Sequence, residues 1–236
     1  MLVIHPGPPV ETTVEEAYAA PLGSRPDRPW VGLSMVTSID GSIAVAGLSG
    51  GLSSPVDQSV MLRLRALAQV VLVGAGTAAG EGYGPPARDD HRIGVVTRSG
   101  RVDLSTDLFR SGAGFIVTTE NTRVGDDDTS AEDSGVDVVR AGVGEVDLAL
   151  AMSRLSSVAG DVDFVQVEGG ARLNGAVADA DLFDEMSITT SPALVAGEGP
   201  RLAVGGAETV RRFDPAQVAV DDAGFVFTRW RRVRDA

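Results

Sequence analysis

The chain has 236 residues, of which 43% are apolar and 22% charged, as is usual for a globular protein of one or two domains. Its formal net charge of -13 argues against nucleic acid or an anionic membrane as the main partner, because both are bound through clustered cations. The chain has no cysteine and only two histidines, so we expect no disulfide and no metal centre. The first residues do not resemble a signal peptide, and no apolar run is long enough to span a bilayer. A cytoplasmic protein is therefore expected.

Short apolar segments alternate with amphipathic ones along the chain. Residues 30–39 predict a strand, and residues 54–68 predict a helix with Ser54 as its N-cap and Pro55 at its first position. Further strands are predicted at 70–74, 92–97, 114–119, 136–140 and 164–167, with helices at 145–160 and directly after residue 170. The segment 184–195 follows, and then a hairpin of residues 217–222 and 224–233 that turns at 221–224.

This order of elements predicts an α/β fold. We expect a mostly parallel central sheet with helices on both faces, closed by a C-terminal antiparallel hairpin. Residues 1–29 are interpreted as an N-terminal arm, and residues 30–236 as a single domain. The acidic residues 125–135 are predicted to form a solvated loop.

Glycines follow two of the predicted strands, in VLVGAGT (71–77) and VQVEGGA (165–171). Glycine lets the backbone approach a ligand closely, and the helix that follows directs N–H groups towards it. A dinucleotide pyrophosphate lying across both strand ends is the natural occupant. The alternative is that each glycine pair forms only a tight turn, and for either pair alone this is the more common case. Neither pair has the Gly-x-Gly-x-x-Gly pattern, because position 79 is alanine, so a standard Rossmann site is not expected.

A third strand end, VVTRSG (95–100), places Thr97, Arg98 and Ser99 in a row. Two hydroxyls beside a guanidinium group make a compact phosphate site, of the kind that holds the 2′-phosphate distinguishing NADP from NAD. The alternative is that Arg98 pairs with one of the many surface carboxylates.

Taken together, the stretches MVTSIDGSIA (35–44), LRALAQVVLVGAGT (64–77), VVTRSG (95–100) and VEGGARLNG (167–175) resemble the pyrimidine reductases of riboflavin biosynthesis. The resemblance extends from Trp30 to the end of the chain. It implies a dihydrofolate-reductase-like fold, NADPH as cofactor and a homodimer. The reaction it implies is reduction of the ribosylamino side chain of a phosphoribosylaminopyrimidine to a ribitylamino chain.

The same resemblance implies three groups of cofactor-binding residues. The first group is Gly74, Gly76, Thr77 and Glu81, and the second, for the 2′-phosphate, is Thr97, Arg98 and Ser99. The third group, for the pyrophosphate and nicotinamide, is Val167, Glu168, Gly169, Gly170 and Ala171.

Several positions depart from the family pattern, and two of them are candidate contacts of the substrate phosphate. Ser34 and Gln58 stand where family members often carry substrate-phosphate contacts, and Glu81-Gly82-Tyr83 replaces the usual Asp-Asp-Pro. Arg88, on the following loop, is a candidate for the missing charge. The predicted substrate-binding residues are Ser34, Ser38, Asp40, Gly41, Gln58 and Arg88.

Asp57 is the predicted catalytic acid. Ser54-Pro55-Val56-Asp57 resembles the opening of the corresponding helix in dihydrofolate reductases, where the acid binds the pterin ring. A carboxylate there can stabilise a protonated C=N bond or relay a proton, but an Asp in the first helical turn also stabilises a helix with no ligand. Asp40 is the competing acid. Two other functions stay open, a dihydrofolate or pterin reductase and a non-catalytic NADP-binding dimer.

Overall fold

The computed structural model describes residues 1–126 and 129–234. Within these residues eleven strands form one sheet in the order β2-β1-β10-β11-β9-β3-β8-β4-β5-β6-β7. The strands are β1 (Leu2–His5), β2 (Val10–Glu11), β3 (Trp30–Thr37), β4 (Val70–Gly74), β5 (Arg92–Val96), β6 (Gly114–Thr118), β7 (Val138–Arg140), β8 (Phe164–Val167), β9 (Glu185–Thr190), β10 (Phe213–Val220) and β11 (Val226–Arg232).

Eight helices connect these strands within the described residues. They are α1 (Val14–Ala17), α2 (Pro55–Leu67), α3 (Ala75–Gly80), α4 (Asp107–Arg110), α5 (Ala131–Ser134), α6 (Leu148–Arg154), α7 (Ser156–Ala159) and α8 (Ala171–Asp179). None of them is both long enough and apolar enough to cross a membrane.

The sheet has a parallel and an antiparallel part. Strands β9, β3, β8, β4, β5, β6 and β7 run parallel, whereas β11, β10, β1 and β2 pair antiparallel at one side. Gly224 N–H donates to Asp221 O at 3.1 Å in the turn of the β10–β11 hairpin, where the sequence placed it. The predicted α/β fold with a C-terminal hairpin is confirmed.

Helices cover both faces of the parallel strands because alternate residues point to opposite sides. On β4, Leu72 packs in the core beneath α6 and α8, while Val73 packs with Leu108 of α4 on the other face. On β8, Val165 joins the first of these cores, whereas Phe164 meets Leu67 of α2. Both predicted ends of α2 are confirmed to within one residue, and the hydroxyl of its N-cap Ser54 accepts from the backbone of the first turn.

Two predictions of secondary structure were wrong in part. The helix expected at 145–160 is divided into α6 and α7, and the second ends at Gly160, which has a positive φ. Residues 131–134 form α5 rather than loop, because Ser130 caps its amino end and Gly135 takes the left-handed conformation at its carboxyl end. Asp127 and Asp128, in the same predicted loop, lie outside the described residues.

Residues 1–29 add two strands to the sheet, β1 and β2. β1 pairs with β10, and Leu2 lies opposite Val220. The segment between α1 and β3 is fixed by Arg229 of β11, which donates to Ala17 O and Ala20 O and forms an ion pair with Glu185. Arg229 also lies 4.9 Å from the centre of the Tyr18 ring. We call Tyr18, Trp30, Glu185 and Arg229 the Glu185 cluster.

Candidate active site

The carboxyl ends of four neighbouring parallel strands meet at one edge of the sheet. β3 leads into the loop 38–54, β8 into residues 168–170, β4 into α3, and β5 into the turn 97–100. Ligands of open parallel sheets bind at this edge, where loops diverge and helix amino ends point outward. All predicted cofactor-binding residues lie on it or on the turns that follow.

The two glycine turns contact each other. Gly74 N–H donates to Gly169 O at 2.6 Å, and a Cβ on Gly170 would lie 2.7 Å from the Thr77 hydroxyl. Gly169 has a φ of 86°, and a Cβ there would meet the sulphur of Met35 at 3.0 Å. The peptide bond between Gly169 and Gly170 is cis.

Glycine is needed at positions 169 and 170 because an added Cβ would come close to Met35 or to Thr77. That the two glycines also leave space for a ligand stays a prediction. Gly76 is different, because a Cβ at that position would have no neighbour within 4 Å. Gly76 is therefore at an open position in the first turn after β4. At the amino end of α8, the N-cap Gly170 has no side chain to satisfy the helix N–H groups.

The three predicted phosphate contacts lie in the turn after β5 and differ in how buried they are. Thr97 is buried, and its hydroxyl accepts from Gly100 N–H at 3.2 Å, so it holds the turn. Arg98 is 71% exposed and lies 3.6 Å from a still more exposed Glu145, a pair that contributes little in water. Ser99 is exposed and lines the same surface depression as Arg101 and Arg123.

Glu168, at the end of β8, is buried and held by two side chains. Arg65 of α2 donates to its two oxygens at 2.7 and 2.5 Å, and the Tyr83 hydroxyl donates to one of them at 2.6 Å. The Arg65 guanidinium also lies 5.0 Å from the centre of the Tyr83 ring. We call Arg65, Tyr83 and Glu168 the Glu168 cluster. The Glu168 carboxylate is therefore engaged within the protein.

The surroundings of Tyr83 and Arg65 in this cluster keep both side chains protonated. Burial, followed by the negative charge of Glu168, raises the pKa of the Tyr83 phenol well above its usual value. Burial works against protonation of Arg65, but the hydrogen bonds and charge of Glu168 outweigh it and raise the pKa of its guanidinium. Tyr83 is therefore a neutral donor and Arg65 a cation throughout the physiological range.

Asp40, the second predicted acid, connects two loops. Its carboxylate accepts from the Ser38 hydroxyl at 2.6 Å and from the amides of Val195 and Ala196 at 3.1 and 2.8 Å. The Ser38 hydrogen bond, then those two amides, lower the pKa of Asp40 to about 2. Gly41 has a φ of 86° in the same turn. These residues tie the loop after β3 to the loop after β9.

Asp57 lies at the amino end of α2, at the same edge of the sheet. Its amide donates to the Ser54 hydroxyl at 3.1 Å, and one carboxylate oxygen accepts from the Ser53 hydroxyl at 2.6 Å. Asp57 and Arg65 are two turns apart on α2, so they share one side of the helix. Arg65 contacts Glu168, so this side faces the carboxyl ends of the strands.

The remaining predicted residues are less central. Ser34 is half-buried on β3 beside Ser187 of β9, and Gln58 is exposed on α2. The Glu81 carboxylate accepts from Ser49 N–H at 2.7 Å and joins α3 to the loop after β3.

Arg88 does not lie at the site. It pairs with Asp90 at 2.5 Å and donates to Ala66 O at 2.7 Å, near the carboxyl end of α2 and the start of β5. Because α2 runs antiparallel to the strands, this is the opposite edge of the sheet, and the prediction for Arg88 was wrong.

Sequence reasoning missed the roles of Arg65, Val195 and Ala196, and it noted Tyr83 only as a departure from the family pattern. Arg65 lies two residues before the end of α2, where a basic residue complements the helix dipole without further function, so its type gave no signal. Val195 and Ala196 act through backbone amides, which any residue type other than proline supplies.

The fold and the edge together define an α/β protein of the dihydrofolate-reductase-like class. The sequence matches the family described as the RibD C-terminal domain over residues 29–227. The chain belongs to this family.

One relative in sequence and two solved structures are similar to this chain, and the structures show that the fold is shared. A 2,5-diamino-6-ribosylamino-4(3H)-pyrimidinone 5′-phosphate reductase of Methanothermobacter thermautotrophicus is 27% identical over 188 residues, which cover 76% of this chain and 85% of that one. A pyrimidine reductase-like protein from Corynebacterium diphtheriae superposes with a TM-score of 0.78 at 23% identity, over 95% of this chain and 100% of that one. RibD of Acinetobacter baumannii gives a TM-score of 0.70 at 19% identity, over 88% of this chain and 59% of that one.

Proposed function

We propose that the chain is an NADPH-dependent reductase that converts the ribosylamino group of a phosphoribosylaminopyrimidine to a ribitylamino group in riboflavin biosynthesis. The observation that carries this proposal is the meeting of Gly76, Gly170 and the Thr97–Ser99 turn at one edge of the sheet. The family membership and the reductase named for the Methanothermobacter relative support it. By the same family resemblance, we infer a homodimer in the cytoplasm.

The described residues fit a phosphorylated dinucleotide. Gly76 and the amino end of α8 would hold the pyrophosphate, because one offers open space and the other offers N–H groups. Arg98 and Ser99, both exposed, would hold the 2′-phosphate and favour NADPH over NADH. When bound, NADPH supplies a hydride.

Asp57 is the acid best placed to act on a proton. Asp40 stays ionised with three donors on its carboxylate, and Glu168 is occupied by Arg65 and Tyr83. Asp57 is half-buried at the same edge, and its carboxylate has a hydroxyl donor in Ser53. It would hold a protonated C=N group or relay a proton to it, as general acids and bases do in reductions of this type.

A pterin or dihydrofolate is the second candidate substrate. Two observations favour it. Asp57 stands in the first turn of α2, and neither Ser34 nor Gln58 supplies a cation for a substrate phosphate. A non-catalytic NADP-binding dimer would keep Gly76 and Arg98 in use but show no turnover.

The substrate is tested by following NADPH oxidation with the phosphoribosylaminopyrimidine and with dihydrofolate in parallel. We expect turnover of the pyrimidine, with a rate at least tenfold lower in Asp57→Asn because a proton-transfer contribution is lost. Turnover of dihydrofolate alone would support the second candidate. NADPH binding without oxidation of either compound would support the non-catalytic protein.

Cofactor placement is tested by adding a side chain to α3. Gly76→Val should fold normally, because nothing lies within 4 Å of its new Cβ, yet it should lose most of its NADPH affinity. Gly80→Val is the matched control, since Gly80 is on the same short helix with equally open surroundings and lies further from the edge. Equal NADPH dissociation constants for the two variants, measured by fluorescence titration, would place the pyrophosphate elsewhere.

A further inference from the structure

The Glu168 cluster joins three parts of the chain at the end of β8. Arg65 comes from α2, Tyr83 from the segment after α3, and Glu168 is the residue that immediately precedes the Gly169–Gly170 turn. Three hydrogen bonds reach the Glu168 carboxylate, at least one on each oxygen. Its side chain is only 4% exposed. The direction in which Glu168 points is therefore set by Arg65 and Tyr83 together.

Glu168 is next to the glycine turn in the chain, and backbone hydrogen bonds hold both against β4. Glu168 N–H donates to Leu72 O at 3.0 Å, and one residue later Gly169 O accepts from Gly74 N–H at 2.6 Å. Gly169 has a φ of 86°, and a Cβ built on it would lie 3.0 Å from the Met35 sulphur, so the turn is closely packed on this side. Without the contacts of Arg65 and Tyr83, the backbone at Glu168 and Gly169 would be held to β4 only by these two hydrogen bonds, and the Gly169 carbonyl would be less firmly held.

We infer that Arg65 and Tyr83 are positioning residues for the cofactor turn. By holding Glu168 in one orientation, they keep the Gly169 carbonyl against Gly74 and the amino end of α8 directed at the pyrophosphate. This role rests on the proposed function as far as the identity of the cofactor is concerned. The placement of the turn itself does not depend on it.

The chemistry of Tyr83 suits this role better than that of a second cation. A phenol donates a single directional hydrogen bond, while the Arg65 guanidinium lies 5.0 Å from the centre of its ring. The buried Glu168 therefore has its charge balanced by Arg65 and its remaining hydrogen bond supplied by a neutral group, as a buried ion pair requires. Tyr83→Phe removes the hydrogen bond and keeps the ring.

Tyr83→Phe is the main test, with two measurements. In the protein without cofactor, we expect the Gly74 amide to exchange with solvent roughly tenfold faster, because the carbonyl it donates to is less firmly held. NADPH should bind about 10-fold more weakly, as a lost hydrogen bond to a charged group predicts. The KM for the pyrimidine should be unchanged. Arg65→Lys, which keeps the charge but loses the two-point contact, should move both measurements in the same direction.

Tyr18→Phe is the matched control, because Tyr18 also packs beneath an arginine but lies in the Glu185 cluster. It should leave Gly74 exchange and NADPH affinity as in the unaltered protein. Unchanged Gly74 exchange in both Tyr83→Phe and Arg65→Lys would overturn the inference. Failure of the unaltered protein to bind NADPH would instead overturn the proposed function, while Gly74 exchange would still decide whether the Glu168 cluster positions the turn.

Discussion

The Glu168 cluster and the Glu185 cluster have almost the same chemistry at opposite ends of the parallel strands. Each contains a buried glutamate paired with an arginine, and each arginine lies about 5 Å from the centre of a tyrosine ring, at 5.0 Å for Tyr83 and 4.9 Å for Tyr18. The two clusters differ in the backbone element next to the glutamate. Glu185 begins strand β9, whereas Glu168 follows strand β8 and precedes a turn at the ligand edge.

The difference shows that the role of an ion pair is decided by the backbone next to it. In the Glu185 cluster the other donors are Trp30 Nε1 at 2.8 Å and Leu22 N–H at 2.5 Å, which hold the segment before β3 on the sheet. We assign that cluster to stability. In the Glu168 cluster the same kind of pair is proposed to act on a turn that contacts the cofactor.

The largest effect is expected for Arg229→Met. The side chains of Arg229 and Glu185 are 5% and 1% exposed, so removing the cation would leave a buried carboxylate without its charge partner. We expect the free energy of unfolding, measured with urea, to fall by about 3–5 kcal/mol. NADPH affinity of the folded protein should be unchanged.

Arg65→Met should destabilise the protein less, by about 1–3 kcal/mol, because the Arg65 side chain is 26% exposed and water can partly solvate Glu168 after the change. Its NADPH affinity should fall instead. If Arg65→Met cost as much stability as Arg229→Met and spared the cofactor, the two clusters would have the same role.

A smaller effect should appear on alkaline titration, which reports both clusters because Tyr18 and Tyr83 are the two tyrosines of the chain. Burial is the main cause that raises the pKa of each phenol, and for Tyr83 the charge of Glu168 adds to it. In the unfolded chain both should ionise near pH 10. Since the folded protein keeps these protons longer, the contribution of the two phenols to its stability should be constant below about pH 10 and decrease as the pH rises beyond it.

The measurement is the ultraviolet absorbance of tyrosinate in the native and the urea-unfolded protein. Native protein should show no tyrosinate near pH 10, whereas each of the two tyrosines in the unfolded chain should be about half ionised at that pH. In Tyr83→Phe the unfolded signal should halve, and the decline of stability above pH 10 should become shallower. A native tyrosinate signal near pH 10 would mean that one of the phenols is solvated.

Much of the sheet was predictable because buried parallel strands leave a strong local pattern. The strands at 70–74 and 164–167 were placed with their observed bounds, as was the amino end of α2 at Ser54 and Pro55. The two short strands β1 and β2 were not predicted. β2 has only two residues, and β1 pairs with β10, more than 200 residues away along the chain.

The sequence was enough to predict which strand ends lie together at the site. It was not enough to predict which side chains there are already bound to other parts of the protein. Glycine turns mark backbone that approaches something, and the sequence cannot say whether that is a ligand or another turn, as at Gly74 and Gly169. Acids pose the same problem, because Asp40, Asp57 and Glu168 are alike in the sequence. Asp57 has the nearby Ser53 as its partner, whereas Asp40 and Glu168 have partners from distant positions, including the amides of Val195 and Ala196. Arg88 was misplaced because the path of the loop between α3 and β5 leaves no local pattern.

Because Arg229 fixes the segment after α1, this segment can fold only after the carboxyl-terminal part of the chain has been made. The contacts of Arg229 with Ala17 and Ala20 span 212 and 209 residues, so this segment has no final position until β11 has been synthesised. Contacts of such sequence separation are slow to form, because loop-closure entropy is lost before they contribute. During synthesis β1 and β2 are therefore made long before β10, the partner of β1, and their apolar side chains stay exposed. We expect a chaperone that shields such segments to raise the yield of folded protein more than it would for a fold with local contacts.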